Sequence, residues 1–276
     1  MPHDSDADIS VDLWPGTPPA QAAGETFTPW LDVYPLANGE QRPAVLICPG
    51  GGYGGRARHE GIDVARAFNA AGFPAFVCQY RVSPNRHPAP LYDVARAIRT
   101  IRARAAEWGV NPHAIAVCGF SAGGHLTASL GTLYRESTPP TPDAIDAQNA
   151  RPDALILSYA VLAWGEFAHK GSFNNLLGPD ADEDARAAMG LDSRVDEHTP
   201  PTFLWHTADD AGVPVENSLL FATALRRHRV PFAMHVAPHG RHGLGLAPDA
   251  PYVARWHELA CHWLRDTFAD VPTPPA

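Results

Sequence analysis

The stretch "GFSAGGHL", Gly119 to Leu126, follows an apolar run ending in Cys118 and precedes a run of small residues with helical character. A serine between glycines, where a strand should become a helix, allows a very sharp turn. Such a turn lifts the Ser121 hydroxyl clear of the sheet and leaves it at the amino end of the helix, where a nucleophile is needed. The competing reading is a glycine-rich turn followed by a serine helix cap. The surrounding chain decides between them.

On both sides of this turn, short apolar runs alternate with helical periods. "AVLICPG" (44–50), "FPAFVCQY" (73–80), "AIAVCGF" (114–120), "ALILSYA" (154–160), "TFLWHTA" (202–208) and "FAMHVAP" (232–238) lack polar alternation. They therefore read as strands buried on both faces. Between them, Val94, Ala97, Ile98, Ile101, Ala105 and Trp108 form one apolar helical stripe, with Arg96, Arg99 and Arg102 turned away from it and Gly109 as the stop. Val253, Trp256, Ala260, Trp263 and Leu264 form another. Strand and helix in alternation predict an α/β fold with a mostly parallel sheet and helices on both faces. Two stretches break the rhythm. Residues 134–152 read as a Pro- and Asp-rich surface loop. Residues 164–201, with a short helical piece around "DEDARAAMG", read as either a lid over the site or a decorated crossover. No linker divides the chain, so residues 1–276 read as one domain, with residues 1–30 and the "VPTPPA" tail peripheral or poorly ordered.

A serine nucleophile needs a base, the base needs a carboxylate, and the developing oxyanion needs fixed N–H donors. The strand "TFLWHTA" is followed by Asp209 and Asp210, and the strand "FAMHVAP" by His239 and His242. The chain order Ser…Asp…His is that of α/β-hydrolases, unlike chymotrypsin or subtilisin. "CPGGGYGG" (48–55) follows an early strand, and its consecutive glycines let the backbone approach a ligand. It lacks the G-K-[ST] ending of a phosphate-binding loop, so it reads as an oxyanion loop, with the Ala122 N–H as its second arm. His239 and His242, three residues apart, also have a metal-pair reading, but a zinc site needs three or four ligands and no further partner stands nearby. His125 reads as a packed core histidine, and Trp205 and His206 as packing beneath the site.

The formal charge of −9 without a Lys/Arg cluster argues against nucleic acid or an anionic membrane as partner. The acidic start "MPHDSDADIS" has no signal-peptide pattern, and no apolar run approaches the roughly 20 residues of a membrane span. A cytoplasmic location is expected, with Cys48, Cys78, Cys118 and Cys261 as buried free thiols.

"PGGGY", "QYRVSPNRHPAPLYDVARAIR", "GFSAGGHL", "GEFAHKGSFNNLLG", "LWHTADDAGVPVENS" and "HGRHGLGLA" together give residues 32–268 a further identity. This stretch resembles the α/β-hydrolase superfamily, and within it the serine esterases related to acetylxylan and other carbohydrate acetyl esterases, including acetyl/feruloyl enzymes. The resemblance implies a central sheet of about eight strands, hydrolysis of short acyl esters of small acetylated carbohydrates, and no metal or cofactor. It also implies Asp210 as the triad acid, three residues before the Val of a "V-P" pair, and His242, followed by Gly243, as the base. Gly51, Gly52 and Ala122 would hold the oxyanion. Pro49 stands where lipase-like "HGGG" enzymes carry a histidine, which removes one side-chain hydrogen bond from that loop. Tyr53, Glu166 and His169 are the candidates for substrate contact. A prolyl-oligopeptidase-like peptidase is the alternative enzyme, although such enzymes carry a large amino-terminal propeller and little chain precedes Ala44 here. A hydrolase-fold binding protein without catalysis is the alternative outside enzymes, against which an intact triad speaks.

Overall fold

A computed structural model of the protein describes residues 7, 9–36 and 40–273. Eight strands form one sheet: β1 (Ile9–Asp12), β2 (Trp30–Tyr34), β3 (Arg42–Cys48), β4 (Ala75–Gln79), β5 (Val110–Phe120), β6 (Ala154–Ser158), β7 (Thr202–Thr207) and β8 (Phe232–Ala237). Their order is β1-β2-β4-β3-β5-β6-β7-β8. The β1–β2 and β2–β4 pairings are antiparallel, and every pairing from β4 to β8 is parallel. Seven helices are described: α1 (Ile62–Ala70), α2 (Ala89–Ala103), α3 (Ser121–Leu133), α4 (Lys170–Leu177), α5 (Glu183–Ala188), α6 (Glu216–Arg227) and α7 (Pro251–Thr267).

The apolar strands separate two cores. Alternate residues of β3 show this: Ala44, Leu46 and Cys48 join the core under α2, α3, α4 and α6, whereas Val45 and Ile47 join the core under α1 and α7. A strand buried on both faces needs no polar alternation. All four cysteines are buried free thiols. Because the strands from β3 to β8 run in one direction, their carboxyl ends bring the loops after β3, β5, β7 and β8 to a single edge.

Two expectations need correction, and two others are made more specific. Residues 9–30 are not peripheral: β1 and β2 extend the sheet, and buried Trp14 donates its indole N–H to Asp93 (2.9 Å) on α2. Asp93 is paired in turn with wholly buried Arg81. Residues 1–6 and 8, and 274–276 of the tail, lie outside the described residues. The strand "FAMHVAP" is not buried on both faces, because β8 is the sheet edge and Phe232 and Val236 are exposed. Arg96 and Arg99 turn away from the apolar stripe but not into solvent. Arg96 binds Asp143 and Asp146, Arg99 binds the Ser137 and Gln148 carbonyls, and together they clamp the 134–152 loop onto α2. Finally, residues 164–201 lie in the β6–β7 crossover and carry α4 as well as the expected α5.

Candidate active site

At the end of β5, Phe120 is still extended (φ −116°, ψ 133°) and Ser121 has φ +51°, the left-handed backbone of a sharp strand-to-helix turn. The glycines around it answer to packing. A Cβ at Gly123 would overlap the carbonyls of Cys48 and Pro49, and one at Gly124 would overlap Ala160. One at Gly119 would overlap the Gly123 carbonyl and the Thr127 hydroxyl. Helix α3 therefore starts pressed between the loop after β3 and the end of β6, which holds its first turn, and Ser121 with it, at the sheet edge.

The structure brings Ser121, His242 and Asp210 into line. His242 Nε2 lies 2.8 Å from Ser121 Oγ, and His242 Nδ1 lies 2.8 Å from Asp210 Oδ2. With Nδ1–H donating to the carboxylate, Nε2 is left bare to accept the serine proton. Asp210 Oδ1 accepts from the Gly212 and Val213 N–H groups at 2.8 and 2.9 Å. Buried His206 stands 3.5 Å from Oδ2 and is itself fixed by the Val213 carbonyl and the Ser218 hydroxyl. Burial alone would raise the Asp210 pKa. The hydrogen bonds from His206, His242 and Val213 outweigh it and hold this carboxyl well below the usual carboxylate range. Asp209 is exposed, accepts from Gly240 N–H, and pairs with exposed His239 at 2.9 Å. Among the described residues, no group of three or more His, Cys, Asp or Glu side chains is arranged to hold a metal.

The loop after β3 carries Gly51 at φ +132° and Gly52 at φ +64°. A Cβ on Gly51 would overlap the Gly55 carbonyl, while the Gly52 carbonyl accepts from Asn175 Nδ2 of α4 at 2.8 Å. The Gly50 N–H is taken by the buried Glu60 carboxylate at 2.8 Å, so Gly51 and Gly52 are the loop's candidates for an incoming oxygen. Ala122 is the second residue of α3, where a backbone N–H has no intrahelical acceptor and the helix end favours negative charge.

Of the expected substrate contacts, Tyr53 is misplaced. It is 1 % exposed, and its hydroxyl bonds His125 Nδ1 (2.8 Å) behind the glycine loop, which leaves it no surface for a ligand. Glu166 is exposed on the turn before α4, with no hydrogen bond to another described residue. His169 caps α4 through the Ser172 N–H and hydroxyl. Burial pushes its imidazole below the usual histidine range, the nearby His242 adds to this, and Asp210 opposes it. His169 and Ser172 thus flank the site, with Ser172 Oγ 3.9 Å from where a Gly52 Cβ would stand.

Sequence reasoning missed Glu60, Tyr159 and Asn175. Tyr159 donates to Glu60 (2.6 Å), accepts from the Gly245 N–H (2.8 Å) and packs its ring edge-on to His242 at 5.1 Å. Burial, reinforced by Glu60, pushes its phenol well above the ordinary tyrosine range. No local signal marks these three residues, because each works through partners far away in the chain.

Comparison with known proteins agrees with this architecture. The BD-FAE family profile matches residues 31–225. An endo-1,4-beta-xylanase B of Butyrivibrio fibrisolvens is 39 % identical over 227 residues, covering 81 % of this chain and 36 % of the relative. An acetylxylan esterase of Xylanibacter ruminicola is 30 % identical over 237 residues, covering 84 % of this chain and 46 % of the relative. The chain thus spans less than half the length of these two curated relatives. Among solved structures, an acetyl ester-xyloside bifunctional hydrolase from Caldicellulosiruptor lactoaceticus superposes with a TM-score of 0.90 at 43 % identity, covering 96 % of this chain and 98 % of the other. The carboxylesterase Cest-2923 from Lactobacillus plantarum superposes with a TM-score of 0.74 at 27 % identity, covering 89 % and 94 %. With the family match covering most of the described sheet, the chain belongs to the BD-FAE family and carries the α/β-hydrolase fold.

Proposed function

We propose that this chain is a serine carboxylesterase that removes short acyl groups, acetyl above all, from small acetylated carbohydrates such as xylo-oligosaccharides. The observation that carries the esterase reading is the relay from Ser121 through His242 to Asp210, with both links at 2.8 Å. In this reading His242 takes the Ser121 proton as the hydroxyl attacks the ester carbonyl, and Gly51, Gly52 and Ala122 N–H groups hold the tetrahedral oxyanion. Asp210 keeps the imidazole oriented and stabilises its charged form. His242 then protonates the departing alcohol, and water repeats the cycle on the acyl-enzyme. The described residues act as one catalytic domain.

Two features support the substrate class. In this reading the acyl group lies toward Gly52, where the polar His169 and Ser172 stand close by. A long acyl chain gains about 0.8 kcal/mol for each CH₂ it buries only where apolar surface receives it, and this polar pair offers none. On the other side, an open depression of about 530 Å³ is lined by Asp209, Ala211, Gly212, Gly240, Arg241 and His242. The Asp209, Arg241 and His242 side chains at its rim offer hydrogen-bond partners to a hydroxylated alcohol that leaves past His242. The names of the relatives, an acetylxylan esterase and an acetyl ester-xyloside hydrolase, point the same way.

The test is kcat/KM on p-nitrophenyl esters from acetyl to octanoyl, then acetate release from acetylated xylo-oligosaccharides, with Ser121→Ala and an aminoacyl anilide as controls. The expected result is a maximum at acetyl, sugar deacetylation, a folded but inactive Ser121→Ala, and no anilide cleavage. A maximum at octanoyl would end the short-acyl reading, absent sugar deacetylation the carbohydrate reading, and an active Ser121→Ala the mechanism itself.

A further inference from the structure

The 3₁₀ turn Arg58–Glu60 lies between the two loops that the proposed chemistry must keep in register. Glu60 is 2 % exposed and both its oxygens are occupied: Oε2 accepts the Gly50 N–H at 2.8 Å, and Oε1 accepts the Tyr159 hydroxyl at 2.6 Å. Tyr159 passes the connection on, because its oxygen accepts the Gly245 N–H at 2.8 Å. The neighbouring His59 reaches the Gly243 carbonyl at 3.1 Å. One short turn therefore grips the glycine loop after β3 at one end and the loop carrying His242 at the other.

A purely structural role accounts poorly for these residue choices. A buried carboxylate is costly unless it is well paired, and a shape-matched apolar side chain is often as good or better for stability. Among the described residues, no Lys or Arg stands within ion-pair distance of Glu60, and its nearest cationic candidate is His59 at 3.9 Å. The fit is also tight, since a Cβ on Gly50 would come 2.6 Å from Glu60 Oε2. Tyr159 itself holds φ +37°, a backbone conformation that costs free energy for a non-glycine residue and persists only where its surroundings impose it. Its ring lies edge-on to His242 at 5.1 Å.

We infer that Glu60 and Tyr159 are positioning residues that lock the oxyanion loop and the His242 loop together, the task that a side chain at Pro49 cannot perform here. Glu60 holds Gly50 from behind so that the next two peptide N–H groups are kept for the oxyanion. Tyr159 fixes the far side of the His242 loop and the face of its imidazole. The inference rests on the serine esterase reading. It requires that the pair matter more in the tetrahedral state, where charge sits in the hole, than in the ground state.

The experiment compares wild type, Glu60→Gln, Tyr159→Phe and the double variant. It measures kcat and KM on p-nitrophenyl acetate, inhibition by a trifluoromethyl ketone that Ser121 converts to an anionic hemiketal, and the melting temperature. Glutamine has only one acceptor oxygen for two donors, and phenylalanine leaves the Gly245 N–H without its partner. Each single variant is expected to lose about 10- to 100-fold in kcat, with KM within about threefold and the ketone Ki weakened in step with kcat. The double variant should lose little more than the worse single one, because both act through one connection. Should Glu60→Gln fail to fold, Tyr159→Phe alone decides. Unchanged kcat and ketone Ki, whatever the melting temperature does, overturn the inference. A wild type that hydrolyses no ester overturns the esterase reading instead.

Discussion

Asp209 and Asp210 are neighbours on one loop, yet their surroundings give them different chemistry. Asp210 is buried and accepts from His242, Gly212 and Val213, whereas Asp209 is exposed and pairs with a surface histidine. Asp210→Asn would turn an amide toward His242 Nδ1, favour the wrong tautomer and lower kcat by about 10³- to 10⁴-fold, while Asp209→Asn should stay within about threefold of wild type. Steady-state kinetics of the two variants settle the order, and a larger loss from Asp209→Asn would move the acid role. The same environment governs pH dependence. Asp210 remains ionised as pH falls through the range where histidines titrate, because its carboxyl is held far below the usual value. Asp210 should therefore add no ionisation of its own to the acid limb of kcat/KM there, which is expected to follow a single ionisation. A steeper limb would mean that a second group must also lose its proton. In the sequence, the choice between the two aspartates is legible only through resemblance, from the place of Asp210 three residues before Val213. The donors that enforce it, His206 and the Val213 N–H, emerge from the fold.

Helix α3 shows how an element can depend on residues chosen for what they lack. Gly123 faces the carbonyls of Cys48 and Pro49 with no room for a Cβ, so Gly123→Ala must push the helix away from the oxyanion loop. A loss of about 2 kcal/mol in denaturant unfolding is expected, with lower kcat because the helix carries Ser121. Gly16→Ala, where a Cβ meets nothing within 4 Å, is the matched control and should be close to neutral. Equal stability of the two variants would sink this packing argument. The long apolar runs of the parallel strands, and the α2 stripe from Val94 to Ile101, are plain in the sequence because burial on both faces or on one helical face leaves a periodic trace, although the helix ends at Ala103, short of the expected stop at Gly109. Strand β1, with four residues and no apolar run, leaves none, and its place depends on pairing with β2 and on Trp14 reaching Asp93 far along the chain. The arginines of α2 are legible only in part for a related reason. Periodicity tells which side of a helix they occupy, but not that the 134–152 loop folds over that side and takes their hydrogen bonds.

On one face of the sheet, distant stretches of the chain meet at a buried histidine whose charge the fold excludes. His125, on α3, is 1 % exposed and touches three separate parts of the chain. Its Nδ1 accepts from Tyr53 behind the glycine loop, its Nε2 donates to the Met189 carbonyl in the β6–β7 crossover, and its ring packs on Phe173 of α4. Burial pushes its pKa down to about 4, with the Met189 carbonyl only partly opposing the shift. An unfolded histidine titrates near 6.5, so between roughly pH 6.5 and 4 the unfolded chain binds a proton that the folded protein refuses. Stability must therefore fall as pH drops through that window, by about 3 kcal/mol from this group, and the effect saturates below it. Asp143, whose carboxyl Arg96 holds down at about 2, contributes with the same sign but at lower pH, as its folded form resists protonation below the unfolded carboxylate value. Denaturant unfolding of wild type and His125→Gln from pH 7.5 to 4.5 separates the terms. The variant should begin less stable, having lost a fitted donor and acceptor, yet lose less on acidification, so that the two stability curves converge toward low pH. Parallel curves would show that His125 does not carry this pH dependence, and the loss would then belong to the other histidines whose pKa values burial lowers, His87, His169, His235 and His257.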